Sequence, residues 1–352
     1  MLDLFPSRQA GPFGRRLKRA RGARIPVTVV TGFLGAGKTT LVRRFLTTPE
    51  GNGTAVVINE FGSVGIDDAL VRGAADAVTL LGNGCLCCTT RSDLQIALRN
   101  LVAERARGTV PQIHRIVIET SGLADPGPIL QTFVSDRALG GEFHVEVVAT
   151  VVDAVNGTSA LQQAAEARKQ VILADRLIIA KTDLAAKRAV ERLTARLRAL
   201  NPHASISHAV DGTIEPRYLV ESDLTASPGI GALHSGFIAE AEHSDAIISF
   251  VLTEDAPVPW DPFARAMETL IALRGADLLR VKGFLSVVGC RGPVVIQAVQ
   301  HLAHPPVELA NWPSDDHRSR LVFITRNVRE EQVRGLLDAV RTLAADAPAT
   351  ER

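Results

Sequence analysis

The sequence predicts an α/β fold, a mostly parallel sheet flanked by helices, followed by a smaller α+β domain. Three observations predict it. Short aliphatic runs alternate with stretches of helical period through the first two hundred residues, as βαβ units require. Only 4% of residues are aromatic while 46% are hydrophobic, so the core is aliphatic and suits parallel strands covered on both faces. Beyond a polar, glycine-containing stretch, strands cluster together and the helices segregate from them.

Taken in order, residues 1–24 form a basic extension. Arg8, Arg15, Arg16, Lys18, Arg19, Arg21 and Arg24 stand against one acid, Asp3, which leaves the remainder with 37 acids and 32 bases. Such an arm is a disordered extension by composition. RNA or anionic lipid contact and a targeting leader are the alternatives, and nucleic acid has no other candidate surface. Residues 25–31 read as a buried strand, and Leu41, Val42, Phe45 and Leu46 mark the helix after it. Further strands are expected at Thr54–Ile58, Ile113–Glu119, Val145–Val152 and Arg176–Ala180, with helices at Leu94–Arg107, Ser159–Leu173 and Ala185–Leu200. This first domain spans 25–210.

Periodicity fades over 211–245, which contains Ser227-Pro228-Gly229, and a linker is expected there. The second domain, 246–346, should hold strands at Ala246–Leu252, Leu278–Val288, Val294–Val299 and Arg320–Thr325. Its helices are expected at Asp261–Leu273, with Pro262 in the first turn, and from Arg329 onward. No apolar run reaches the roughly 18 residues of a membrane helix. Four cysteines in 352 residues make no disulfide framework, and a reducing cytoplasmic setting is expected.

The strand at 25–31 leads into Gly32-Phe33-Leu34-Gly35-Ala36-Gly37-Lys38-Thr39, the G-x-x-x-x-G-K-[ST] pattern of a P-loop NTPase. Its glycines let the backbone curl so that several N–H groups face a β-phosphate. Lys38 brings a cation to the β/γ oxygens, and the Thr39 hydroxyl is suited to Mg²⁺. Ile116-Val117-Ile118-Glu119 ends an apolar strand in an acid, where α/β ligands bind, so Glu119 is the second magnesium candidate. The alternative is an ordinary strand-end acid. In the following Thr120-Ser121-Gly122, Gly122 offers an N–H to a γ-phosphate in a turn that tightens with triphosphate.

Lys181-Thr182-Asp183 closes another strand. An Asp carboxylate there accepts from guanine N1 and N2, and the Lys stem covers the ring, which favours GTP over ATP. Asp183 as a helix cap is the alternative. Related sites read Asn-Lys-x-Asp, whereas Ala180 stands first here, one polar contact short.

Gly84-Cys85-Leu86-Cys87-Cys88 sets three thiols in a glycine-opened turn before a helix that Thr90 can cap. In extended backbone Cys85 and Cys87 project to one side, close enough to share a metal, and a helix N-terminus favours thiolate. Three thiols do not complete a tetrahedral zinc site, and an open site suits cargo that must be released. Redox sensing and plain packing are the alternatives. Cys290 stands alone and reads as structural, and seven histidines from His203 to His317 are scattered without zinc-finger spacing.

These segments together resemble the CobW-type metallochaperone GTPases. The resemblance rests on Thr31–Thr40, Asn59-Glu60-Phe61-Gly62, the cysteine run, Glu119-Thr120-Ser121-Gly122-Leu123-Ala124-Asp125-Pro126 and Lys181-Thr182-Asp183. Arg280-Val281-Lys282-Gly283 and Arg320-Leu321-Val322-Phe323-Ile324 are similar to the C-terminal domain of that family, so nearly everything after residue 24 is covered.

The resemblance implies slow GTP hydrolysis coupled to delivery of a transition metal, zinc or cobalt, to a client metalloprotein. It assigns phosphates to Gly35, Gly37, Lys38 and Thr40 in a nucleotide-binding loop that includes Gly32, Ala36 and Thr39, Mg²⁺ to Thr39 and Glu119, guanine to Lys181 and Asp183, and cargo metal to Cys85, Cys87 and Cys88. Switch I is implied over 60–68, where Glu60, Asp67 and Asp68 are further metal candidates. Ser63 and Ile58 replace carboxylates that relatives carry, and the His-rich stretch is reduced to His234 and His243. Thiolates should then dominate the site and tilt it toward Zn²⁺. A site short of ligands also suits a nucleotide-dependent homodimer. The competing functional class is a metal-independent GTP switch that binds a protein partner.

Overall fold

The computed structural model describes residues 24–59, 79–80, 91–202, 204–220, 247–299, 302–303, 306–312 and 315–345. They fall into two compact units divided between Ser222 and Asp223.

The first unit is built on a seven-stranded sheet. In chain order its elements are β1 (Ile25–Gly32), α1 (Lys38–Leu46), β2 (Thr54–Asn59), β3 (Thr79–Leu80), α2 (Arg91–Arg107), β4 (Arg115–Thr120), α3 (Pro126–Ser135) and α4 (Arg137–Glu142). There follow β5 (Phe143–Asp153), α5 (Gly157–Gln163), α6 (Ala165–Ile172), β6 (Arg176–Ala180), α7 (Lys187–Leu200), β7 (Ser205–Ala209) and α8 (Pro216–Val220). The strand order is β3-β2-β4-β1-β5-β6-β7, and neighbouring strands pair in parallel.

The central strands are buried on both faces, which is why they read as unbroken aliphatic runs. Helix α1 buries Leu41, Val42, Phe45 and Leu46 against that sheet. Each such side chain stabilises by roughly 1.5–3 kcal/mol, enough to anchor a helix that begins on glycine.

Because all pairs are parallel, the C-terminal ends of β1, β4, β5, β6 and β7 lie along one edge of the sheet. That edge collects Gly32, Thr120, Asp153, Ala180 and Ala209, and it is where α/β folds bind ligands.

Two expectations are corrected here. The helix expected over Ser159–Leu173 is two helices, because Ala164 adopts extended backbone (φ −111°, ψ 121°). The Arg168 guanidinium donates to the Leu161 and Gln162 carbonyls at 3.1 and 3.2 Å, partnering groups that the break exposes. The expected linker at 211–245 contains, in its first ten residues, a helix of the first unit, and 221–245 lie outside the described residues. Helix α8 buries Leu219 and Val220 in the core beside α1, Thr28 donates to the Leu219 carbonyl at 3.3 Å, and the Arg176 guanidinium donates to the Tyr218 carbonyl while lying over its ring. Strand β7 was not expected at all. Ser205-Ile206-Ser207-His208-Ala209 is a mostly half-buried edge strand whose polar sequence hides its pairing with β6.

The second unit contains β8 (Ile247–Glu254), α9 (Trp260–Arg274), β9 (Leu278–Leu285), β10 (Val294–Val299), β11 (Leu302–Ala303), β12 (Val307–Glu308), β13 (Ser319–Arg326) and α10 (Glu330–Ala345). Its antiparallel sheet runs β11-β10-β9-β13-β8, with β12 paired to β10. Phe250 and Phe323 stack across β8 and β13 at 5.2 Å, over a core that includes Trp260, Phe263 and Met267 of α9. The α+β assignment of this domain holds.

Candidate nucleotide-binding site

β1 delivers the chain into the loop through Gly32, whose φ is +144°; a Cβ there would lie 2.2 Å from the Val151 carbonyl oxygen, so no other residue fits. Gly35 and Gly37 also adopt positive φ, and Gly37 starts α1 without a side-chain cap. An uncapped helix N-terminus presents N–H groups and a positive dipole end to an anion. Ala36 is buried, and its N–H bonds the Phe33 carbonyl at 3.2 Å. The Lys38 ammonium curls back to donate to the Gly32 and Phe33 carbonyls at 2.9 and 3.2 Å. Thr40 packs behind the loop, close to Gly212.

Glu119, at the end of β4, is 5% exposed, and its Oε1 accepts from the Thr39 hydroxyl at 2.6 Å. Two residues separated by 80 positions are thereby joined in the pair expected to hold magnesium. Beside them the Thr120 hydroxyl donates to Thr31 at 2.9 Å, tying β4 to β1. The next turn lies on the phosphate loop itself: a Cβ on Gly122 would stand 2.6–2.8 Å from atoms of Leu34. Asp125 then caps α3, accepting from the Gly127 N–H at 2.9 Å while pairing with Lys169.

On the other side of β1, Lys181 occupies the left-handed region at φ 60°. Its ammonium donates to the Gly35 carbonyl at 2.7 Å and to Asp153 Oδ2 at 2.8 Å. Lys181 thus ties the end of β6 to the phosphate loop. Ala180 is buried, with its methyl 4.0 Å from the place a Gly37 Cβ would take. Asp183 lies exposed in the short helix Thr182–Leu184.

Sequence reasoning missed Asp153. It is 6% exposed and accepts from the Val155 and Asn156 N–H groups at 2.7 and 3.2 Å, from the Asn156 side chain at 3.1 Å and from Lys181. Burial works to raise its pKa, but the Lys181 bond and these N–H donors prevail and hold it below the usual carboxylate value. The signal was available: like Glu119, Asp153 is an acid closing an apolar strand. Gln170 and Lys169, which reach the turn after β4 from α6, carried no such signal.

Cys85, Cys87, Cys88, Glu60, Asp67 and Asp68 lie outside the described residues. Among the described residues no three His, Cys, Asp or Glu side chains gather closely enough to hold a metal ion. Cys290 is half-buried, and burial with Glu308 nearby pushes its thiol up to about 11, so it stays protonated and fits its structural reading. Among the described residues no helix is long and apolar enough to cross a membrane.

Residues 26–208 match the family described as CobW/HypB/UreG, nucleotide-binding domain, and residues 247–341 match the cobalamin synthesis protein cobW C-terminal domain. The chain is 36% identical over 318 residues to the zinc chaperone YjiA of Escherichia coli, covering 90% of this chain and 99% of that one. It is 32% identical over 348 residues to the zinc chaperone CobW of Pseudomonas aeruginosa, covering 88% and 90% respectively. The crystal structure of Zn(II)-bound YjiA GTPase from E. coli superposes with a TM-score of 0.66 at 34% identity, covering 90% of this chain and 99% of that chain. With the phosphate loop, the Thr39–Glu119 pair and the Lys181 motif gathered on one sheet edge and both domains matched, this chain belongs to the CobW family of P-loop GTPases.

Proposed function

We propose that the chain is a GTP-dependent metallochaperone that carries a transition metal, zinc by preference and cobalt as the second choice, and couples GTP hydrolysis to its transfer to a client metalloprotein. The observation that carries the nucleotide half is the Thr39–Glu119 bond at 2.6 Å beside Lys38. A hydroxyl and a carboxylate are the hard oxygen donors that Mg²⁺ takes, so the residues present fit that ion. When bound, Mg²⁺ neutralises charge on the β- and γ-phosphates.

The remaining roles belong to the chain's own groups. N–H groups of Gly35, Gly37 and Thr40 cradle phosphate oxygens, in a loop whose curl is set by Gly32 and by the Ala36 N–H bond to the Phe33 carbonyl. Lys38 leaves its carbonyl partners for the β/γ oxygens, and Gly122 donates to the γ-phosphate. Lys181 covers the guanine ring while Asp183 accepts from its N1 and N2. Support for the cargo comes from the zinc chaperones that this chain resembles over nine-tenths of its length, together with the thiol run in its sequence. In this reading Cys85, Cys87 and Cys88 hold the cargo, with Glu60, Asp67 or Asp68, or a second copy of the chain in a nucleotide-dependent homodimer, completing the shell. A cytoplasmic setting follows from thiols that must stay reduced.

The test is zinc stoichiometry and zinc-dependent GTP turnover of the full chain against Cys85→Ser/Cys87→Ser/Cys88→Ser. We expect the triple variant to lose bound zinc and the zinc response of turnover while retaining metal-independent hydrolysis. Unchanged stoichiometry and response would overturn the chaperone reading, and nucleotide-dependent protein association without metal dependence would favour the regulatory switch instead.

A further inference from the structure

The turn after β4 is gripped from a side that the hydrolysis machinery does not account for. Gln170, in the last turn of α6, is completely buried, and its amide Nε2 donates to the Gly122 carbonyl at 3.1 Å and to the Ala124 carbonyl at 3.0 Å. Its neighbour Lys169 pairs with Asp125, one residue further along the same turn. Gln170 is itself anchored, because its backbone carbonyl accepts from the Thr150 hydroxyl of β5 at 2.7 Å. Thus the 122–125 turn is held to α6 at three successive points, while Gly122 packs on Leu34 of the phosphate loop.

In a trans peptide the N–H points opposite the C=O. Fixing the Gly122 and Ala124 carbonyls on Gln170 therefore turns the Leu123 and Asp125 N–H groups away from α6 and limits how Gly122 can present its own. A turn that must reach a terminal phosphate is preorganised by such an anchor. A buried amide holding two carbonyls in a loop also contrasts with Asn201, whose Nδ2 donates to the Val171, Ile172 and Ala174 carbonyls at 2.9, 3.1 and 2.9 Å. Asn201 does the same chemistry on carbonyls that follow Gln170 at the C-terminal end of α6, and none of these three bonds is to the turn.

We propose that Gln170 is a positioning residue for the nucleotide switch: by holding the Gly122 and Ala124 carbonyls to α6, it sets the preference for a bound triphosphate over a diphosphate. This rests on the reading of Gly122 as the γ-phosphate donor. The experiment measures, on the full chain with Mg²⁺, affinities for a non-hydrolysable GTP analogue and for GDP, together with kcat, KM and Tm. Gln170→Met keeps length but has no donor. We expect it to lower the triphosphate-to-diphosphate affinity ratio roughly tenfold, the scale of two lost amide bonds, to reduce kcat, and to leave GDP affinity within about twofold.

Asn201→Leu should lower Tm while leaving the ratio in place. If Gln170→Met does not fold, Gln170→Glu carries the test: burial against two carbonyls raises its carboxyl pKa, the protonated form keeps one donor, and its ratio should fall as pH rises and the donor is lost. An unchanged ratio in Gln170→Met, a ratio in Gln170→Glu that does not respond to pH, an equal loss for both nucleotides, or an equal change in Asn201→Leu overturns the proposal. A wild-type chain that binds both nucleotides equally fails the Gly122 reading itself, and the proposal with it.

Discussion

Glu119 and Asp153 close two strands that flank β1, at 5% and 6% exposure, yet their surroundings differ in kind. Asp153 holds a protein cation, Lys181, and accepts three further N–H bonds from the loop it begins. Glu119 instead meets the hydroxyl of Thr39, a neutral group that can itself coordinate a cation. Burial alone therefore does not say what a strand-end acid does. In the proposed reading Glu119 and Thr39 offer oxygen donors to Mg²⁺, whereas Asp153 braces Lys181.

The largest expected effect tests the Glu119 side. Glu119→Gln should cut kcat by about 10²–10³-fold, as loss of a group stabilising transition-state charge does, while GDP binding changes little. If turnover survives, the division between the two acids fails. Asp153→Asn comes next. It should weaken GTP and GDP equally, by about tenfold through a misplaced Lys181, and leave kcat at saturation near wild type; a selective loss of triphosphate binding would erase the contrast with Glu119.

The same variant carries a pH prediction. Because the folded pKa of Asp153 is lowered, its stabilisation is present above the ordinary carboxylate pKa near 3.9 and is lost as pH falls through the lower folded value. In acid titrations followed by circular dichroism, the stability gap between wild type and Asp153→Asn should thus be widest near neutrality and close in acid.

The smallest effect sharpens the comparison with a third buried acid. Asp136 is 7% exposed, accepts from the Ala138 and Leu139 N–H groups at the start of α4, and pairs with Arg99 at 2.7 Å, away from the nucleotide edge. Asp136→Ala should cost about 1 kcal/mol in denaturant unfolding, the worth of a helix cap, with nucleotide affinities and kcat unchanged.

Much of this was legible in sequence. The phosphate loop, Glu119 after Ile116-Val117-Ile118 and Lys181-Thr182-Asp183 are contiguous, and each owes its chemistry to local backbone shape or to its place at a strand end. The break at Ala164 was not legible, since 159–173 keeps a helical pattern through it and the Arg168 contacts become visible only in three dimensions. Strand β7 was hidden because edge strands need little apolar surface, and the packing of α8 because Leu219 and Val220 find their core far back in the chain.

By itself the sequence determined the fold class, the order of the main aliphatic strands, the phosphate loop and the motif spacing, because those depend on periodicity and on glycine placement over a few consecutive residues. Only the tertiary structure decided the pairings: Thr39 with Glu119 across 80 positions, Lys181 with Asp153 across 28 and Gln170 with Gly122 across 48. The physical reason is the parallel sheet, which lays strands distant in the chain side by side, so each partner is set by strand order rather than by separation along the chain.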